Sequence, residues 1–149
     1  MFAQAVLAFI ALPGVIAIVV PITWLWVSSH TKLVQPWGLV PLLVGLFALL
    51  WCVRDFYISG KGTLAPWAPP THLVVVGLYR YTRNPMYLAV TLVLLGWALS
   101  FSVTGQFIYT ILVAVAFHLR VVLGEEPWLA QTHGAQWAHY SSRIPRWLW

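Results

Sequence analysis

Four long apolar runs, residues 2–27, 37–58, 85–101 and 104–123, are separated by short polar breaks and by one longer loop. Each comes close to the roughly 20 residues that a helix needs to cross about 30 Å of hydrocarbon. The pattern predicts an all-α membrane protein of about four transmembrane helices. Pro13, Pro21 and Pro41 fall in or near the first two runs, where each removes a helix hydrogen bond, so kinks or 3₁₀ adjustments are expected there. The connection 28–36 is short, and Ser102-Val103 makes a tight turn that sets the last two spans as an antiparallel hairpin. Residues 59–84 form the longer loop. Gly60, Gly62, Pro66, Pro69 and Pro70 precede an apolar stretch there, Leu73-Val74-Val75-Val76, which suggests a structured, membrane-hugging segment. A short C-terminal helix is expected beyond the fourth span.

Composition agrees with lipid as the solvent: 61% of residues are hydrophobic and only 7% charged, against about 25% charged in an ordinary soluble protein. The 149 residues fit one membrane domain, 1–149, and no second. The first run is too long for the apolar part of a signal peptide and is expected to be a retained span.

Charge then sets the orientation. Arg54, Lys61, Arg80, Arg83, Arg120, Arg143 and Arg146 fall on one side of a four-span chain, and Lys32 alone falls opposite. This excess places the long loop and both termini in the cytoplasm, in a bacterial or archaeal inner membrane or the endoplasmic reticulum. The net charge of +5 is therefore topological and does not indicate nucleic acid as a partner.

Chemistry is concentrated at the cytoplasmic ends of the third and fourth spans. Asn84 suits a helix N-cap and Pro85 the first helical position, which leaves N–H groups free to receive an anion. Arg83 adds a forked donor for carboxylate or phosphate, the nearby tyrosines add stacking surface, and Gly77 permits close approach to the backbone. The bland alternative is that Arg80 and Arg83 anchor the span to lipid headgroups.

Glu125 and Glu126 are two of the chain's three acids, placed where an apolar chain most easily avoids them. Pro127 should break the helix at Glu126 and turn the carboxylates toward the long loop. An ion pair with Arg80, Arg83 or Arg120 would staple the two segments and is compatible with a site. His118 lies seven residues before Glu125 and is expected to point into the bundle on the same face. His72 is ambiguous between bundle and site, and His30, His133 and His139 carry no spacing signal. Arg54 and Asp55 read as a local ion pair at the interface. Cys52, the single cysteine, reads as a small apolar helix residue, and no spacing supports a metal site.

Leu73-Val74-x-x-Gly77-Leu78-Tyr79-Arg80-Tyr81-x-Arg83-Asn84-Pro85-Met86-Tyr87, Gly96-Trp97-Ala98, Glu125-Glu126-Pro127-x-Leu129, and Tyr140 with Ile144-Pro145-Arg146 together resemble the integral-membrane methyltransferases. That family includes the isoprenylcysteine carboxyl methyltransferases and the phosphatidylethanolamine N-methyltransferases. The resemblance covers residues 72–147. It implies S-adenosylmethionine as cofactor, bound by His72, Val76, Gly77, Leu78, Tyr79, Arg83, Asn84, Pro85, Tyr87, Glu125 and Glu126, with Glu125, Glu126, Arg83 and His118 as candidates for the catalytic work. The carboxyl methyltransferases typically have His where this chain has Asn84, which tilts the acceptor away from prenylcysteine. A lipid or other hydrophobic acceptor is implied, methylated on nitrogen or oxygen. Rival readings are a small four-helix multidrug exporter, which would need an acid in mid-membrane that this chain lacks, a glutathione-conjugating enzyme, and a purely structural subunit.

Overall fold

The computed structural model describes residues 10–60 and 72–148, with side chains from Pro13 onward. Expectations for residues 2–9 and for 61–71, with Lys61 and Trp67, lie outside the described residues. Helices account for nearly all the rest, and no strand occurs among the described residues.

Helix α1 is π-helical over Ile10–Val19 and α-helical over Val20–Val27. The prolines thus widen the helix where 3₁₀ turns or kinks are expected. Pro21 comes to lie in the first turn of the α-helical part, where its missing N–H is least needed. The carbonyls that an N–H at position 21 would have bonded, Ala17 and Ile16, accept instead from the Trp97 indole at 2.9 Å and the Tyr109 hydroxyl at 3.3 Å. Gln106 Nε2 donates to the Pro21 carbonyl itself at 3.1 Å. Neighbouring helices therefore satisfy what the prolines leave open.

Helix α2, Leu39–Ser59, follows a 3₁₀ turn at Pro36–Gly38 and takes Pro41 within its first turn, where no intrahelical bond is lost. Helix α3, Pro85–Phe101, packs antiparallel against it. Gly45 and Gly96 make the approach possible: a Cβ on Gly45 would lie 2.8 Å from the Ala89 carbonyl, and one on Gly96 2.5 Å from Leu42. Leu49 joins Ala17, Ala89, Val90, Val93 and Leu94 in the core there. Ser102, in the left-handed region, and Val103 turn the chain into α4, Thr104–Arg120, so the expected hairpin forms.

Beyond α4 the helix does not break at Glu126. It loosens into a π-helical turn, Val121–Glu125, and continues as α5, Glu126–Arg143. The wide turn absorbs Pro127, and Glu126 keeps helical angles (φ −64°, ψ −44°). The direction changes at Gly134 instead, whose φ of 45° and ψ of −114° suit only glycine. The expected short terminal helix is thus an 18-residue continuation of α4.

The exposed surface is apolar where a soluble protein's would be polar. Leu43, Val44, Phe47 and Leu50 on α2 and Ile108, Ile111, Leu112 and Val115 on α4 are exposed, while Ser100, Gln106 and Thr110 are buried. Two helical stretches, Pro36–Ser59 and Thr104–Arg143, are long and apolar enough to cross a membrane, and Pro13–Val27 and Pro85–Phe101 are shorter apolar helices.

Candidate active site

The chain enters the site through Leu73–Val75, which form no regular element, and turns sharply at Gly77, with φ +57°. A side chain at 77 would collide with the Asp55 carboxylate and approach the Trp51 indole to 3.0 Å. The following 3₁₀ turn, Gly77–Arg80, sinks Tyr79 against Cys52, Val74 and Phe56. Burial pushes the Tyr79 phenol well above its ordinary range.

Two carboxylate centres lie beside this turn. Glu126 receives Arg83 Nη1 at 2.9 Å and a forked pair from Arg146, Nε at 2.9 Å and Nη2 at 2.7 Å. The bond to Glu126 raises Arg146 further above the usual guanidinium range. Glu125 accepts from Arg120 Nε at 2.8 Å and from the Tyr87 hydroxyl, which itself accepts from Arg120 at 3.1 Å. Arg83 also lies over the Trp137 ring, 5.5 Å from its centre. The expected staple between the two segments is therefore present as Arg83–Glu126, whereas Arg120 pairs with Glu125 within its own helical stretch.

The tail closes the arrangement. Arg83 N–H donates to the Pro145 carbonyl at 2.9 Å, Thr82 Oγ1 and Asn84 Nδ2 to the Arg146 carbonyl at 3.1 and 3.0 Å, and the Tyr140 hydroxyl to the Tyr79 carbonyl at 2.7 Å. Asn84 consequently makes no side-chain N-cap, because its amide is drawn to the tail; Pro85 does open α3.

A narrow cleft of about 100 Å³ lies among these groups. Of the residues expected to bind cofactor, His72, Tyr79, Arg83, Asn84, Tyr87 and Glu125 line it. Glu126 adjoins it through Arg83. Val76 and Leu78 pack behind it against Tyr79, Gly77 rests on Asp55, and Pro85 is buried at the start of α3. His118 is not brought to the site. It is exposed, its ring stacked on Trp147 and its Nδ1 accepting from that indole at 3.3 Å, because the π-helical turn ends the register that would have aligned it with Glu125.

Sequence reasoning passed over Phe56, His133 and Trp137, which also line the cleft, and gave no role to Tyr140 and Arg146. Leu129, His133, Trp137 and Tyr140 recur at helical spacing, the signal that would have found them. Arg54 and Asp55 do pair, at 3.2 Å, yet Asp55 is buried and its second oxygen has no partner. Buried without a partner as well are Arg83 Nε and His133 Nε2. A wider groove of about 600 Å³, lined by Leu73, Val75, Arg80, His139 and Arg143, adjoins the cleft and shares Tyr140 with it.

The family model for phospholipid methyltransferases matches residues 34–136. The chain belongs to that family. The match takes in the Gly77–Arg80 turn, Arg83, Tyr87, both glutamates and His133, and it extends over α2, which the resemblance of residues 72–147 left out. Membership in a family of methyltransferases with membrane-spanning character gives no support to an exporter or a glutathione-conjugating enzyme. Comparison with curated proteins and with solved structures gave no match. Among the described residues no group of three or more His, Cys, Asp or Glu is placed to hold a metal.

Proposed function

We propose that the chain is an S-adenosylmethionine-dependent methyltransferase that crosses the membrane four times, with its cleft and both termini on the cytoplasmic side, and methylates a lipid or other hydrophobic acceptor on nitrogen or oxygen. The observation that carries this reading is the convergence of the Gly77–Arg80 turn, Arg83, Tyr87 and Glu125 on one cleft in which Arg83 Nε is buried without a partner. A buried donor of this kind is strongly biased toward an anion such as the cofactor carboxylate. Glu125 and the faces of Tyr87 and Trp137 suit the cationic parts of the same molecule. When bound, S-adenosylmethionine supplies an electrophilic methyl on sulfonium.

The residues then align, exclude water and set charge. As it stands the cleft is smaller than the roughly 300 Å³ at which ligand pockets begin, so binding must part α5 from the Tyr79 turn. Gly134 is the natural pivot. The adjoining groove suits an amphiphile with an anionic head. The acids Asp55, Glu125 and Glu126 are paired with Arg54, Arg120, Arg83 and Arg146, which leaves Arg80 and Arg143 without a carboxylate among the described residues. Seven of the eight cations lie on the side assigned to the cytoplasm, which supports the orientation.

Calorimetry in detergent tests the reading. S-adenosylhomocysteine should bind, and Arg83→Ala or Glu125→Ala should weaken it by tenfold or more; no binding to well-folded protein would refute it.

A further inference from the structure

An amine acceptor must lose a proton before it can be methylated, and the acids that first suggest themselves are already engaged. Glu125 accepts from Tyr87 and Arg120, Glu126 from Arg83 and Arg146. Asp55 is buried against Gly77 and is not part of the cleft lining. His118 stands outside, on Trp147.

His133 is placed differently. It lines the cleft on α5, with its ring edge-on to Trp128 at 6.2 Å and 87°, and its Nε2 is buried with no hydrogen-bond partner. Buried polar atoms are nearly always paired, so an unpaired one calls for a partner that arrives with the substrate. With the ring proton on Nδ1, Nε2 carries a lone pair and can accept. The other titratable or charged groups lining the cleft are His72, Tyr79, Arg83, Tyr87, Glu125 and Tyr140.

We propose that His133 Nε2 takes the proton that an amine acceptor must lose. The proposal rests on the methyl-transfer reading above. The ammonium head gives one proton to Nε2. The freed nitrogen lone pair then forms the N–C bond while the C–S bond of S-adenosylmethionine breaks with its electron pair left on sulfur, and His133 returns the proton to water.

The test follows methyl transfer from S-adenosylmethionine to phosphatidylethanolamine in bicelles across pH, beside calorimetric binding of S-adenosylhomocysteine. His133→Gln and His133→Asn should lower the rate at pH 7 by about 10²–10⁴-fold. Their rate should recover as pH rises toward the amine's own pKa and approach the wild-type rate there. Affinity for S-adenosylhomocysteine should stay within about twofold, which a misfolded variant or a merely structural histidine would not combine with recovery at high pH. Several results would overturn the proposal: a wild-type pH profile in both variants, loss of cofactor affinity in both, the recovery appearing in His72→Gln instead, or transfer to a carboxylate acceptor and to no amine lipid. Wild-type protein that binds no S-adenosylhomocysteine would remove the methyltransferase reading itself, and the proposal with it.

Discussion

The Trp97 indole donates to the Ala17 carbonyl at 2.9 Å, and Ala17 is the residue whose carbonyl Pro21, four positions on, cannot reach for want of an N–H. An apolar helix with a proline has been completed by a side chain from another helix. Trp97→Phe removes the donor and keeps an apolar ring, so it should destabilise the fold by about 1–3 kcal/mol, the usual penalty for stranding a buried acceptor. Pro21→Ala restores a backbone donor and should offset part of that loss. Unfolding of the single and double variants in detergent checks the coupling, and strictly additive effects would contradict it.

Glu126 is the anion shared by two guanidiniums from distant parts of the sequence, Arg83 and Arg146. Glu126→Gln leaves Arg83, only 14% exposed, facing no charge. A loss of about 1–3 kcal/mol in stability is expected, below the figure for a fully buried pair because Arg146 is partly open to solvent. Arg83→Lys keeps the charge and forfeits the fork, so it should weaken S-adenosylhomocysteine more than it weakens the fold. Parallel unfolding and calorimetry separate the two effects.

Gly77 combines a positive φ with a neighbour that leaves no space. Gly77→Ala should cost about 1–3 kcal/mol and lower cofactor affinity, since the Tyr79 turn must move off Asp55. Gly124→Ala is the matched control: nothing lies within 4 Å of a Cβ there. It should be neutral or stabilise by up to about 1 kcal/mol through helix propensity. Thermal unfolding of the two variants should therefore shift in opposite directions or in one only.

His118→Ala should change S-adenosylhomocysteine affinity and methyl transfer by less than about twofold, because the ring is exposed and bonds only to the Trp147 indole among the described residues. A loss approaching tenfold would return His118 to the site.

Where apolar length alone decides the structure, the sequence was easy to read. The run at residues 85–101 is α3, Pro85–Phe101, to the residue, and the Ser102-Val103 turn follows it. The pairing of Glu125 and Glu126 with Arg83 and Arg120 was legible because so few charges exist to choose among. Backbone register was not legible. Pro127 suggested a break, and only the fold shows that a π-helical turn accommodates it, moving His118 off the face of Glu125 and the bend to Gly134. Asn84 has the composition of a cap, yet a carbonyl 62 positions away competes for its amide. Such long-range competition leaves no local signature. Nor did α2 suggest more than scaffold, although its Phe56 and Asp55 meet the cleft and the Gly77 turn.

Pro145 and Arg146, whose carbonyls take the amides of Arg83 and Asn84, are synthesised about 62 residues after them and about 20 after Glu126. The apolar helices can therefore pack before the bonds that tie Arg83 and Asn84 to the tail can form. Assembly of the site is a late folding step, and a chain halted before Pro145 should keep its packed helices yet lack the contacts that close the cleft.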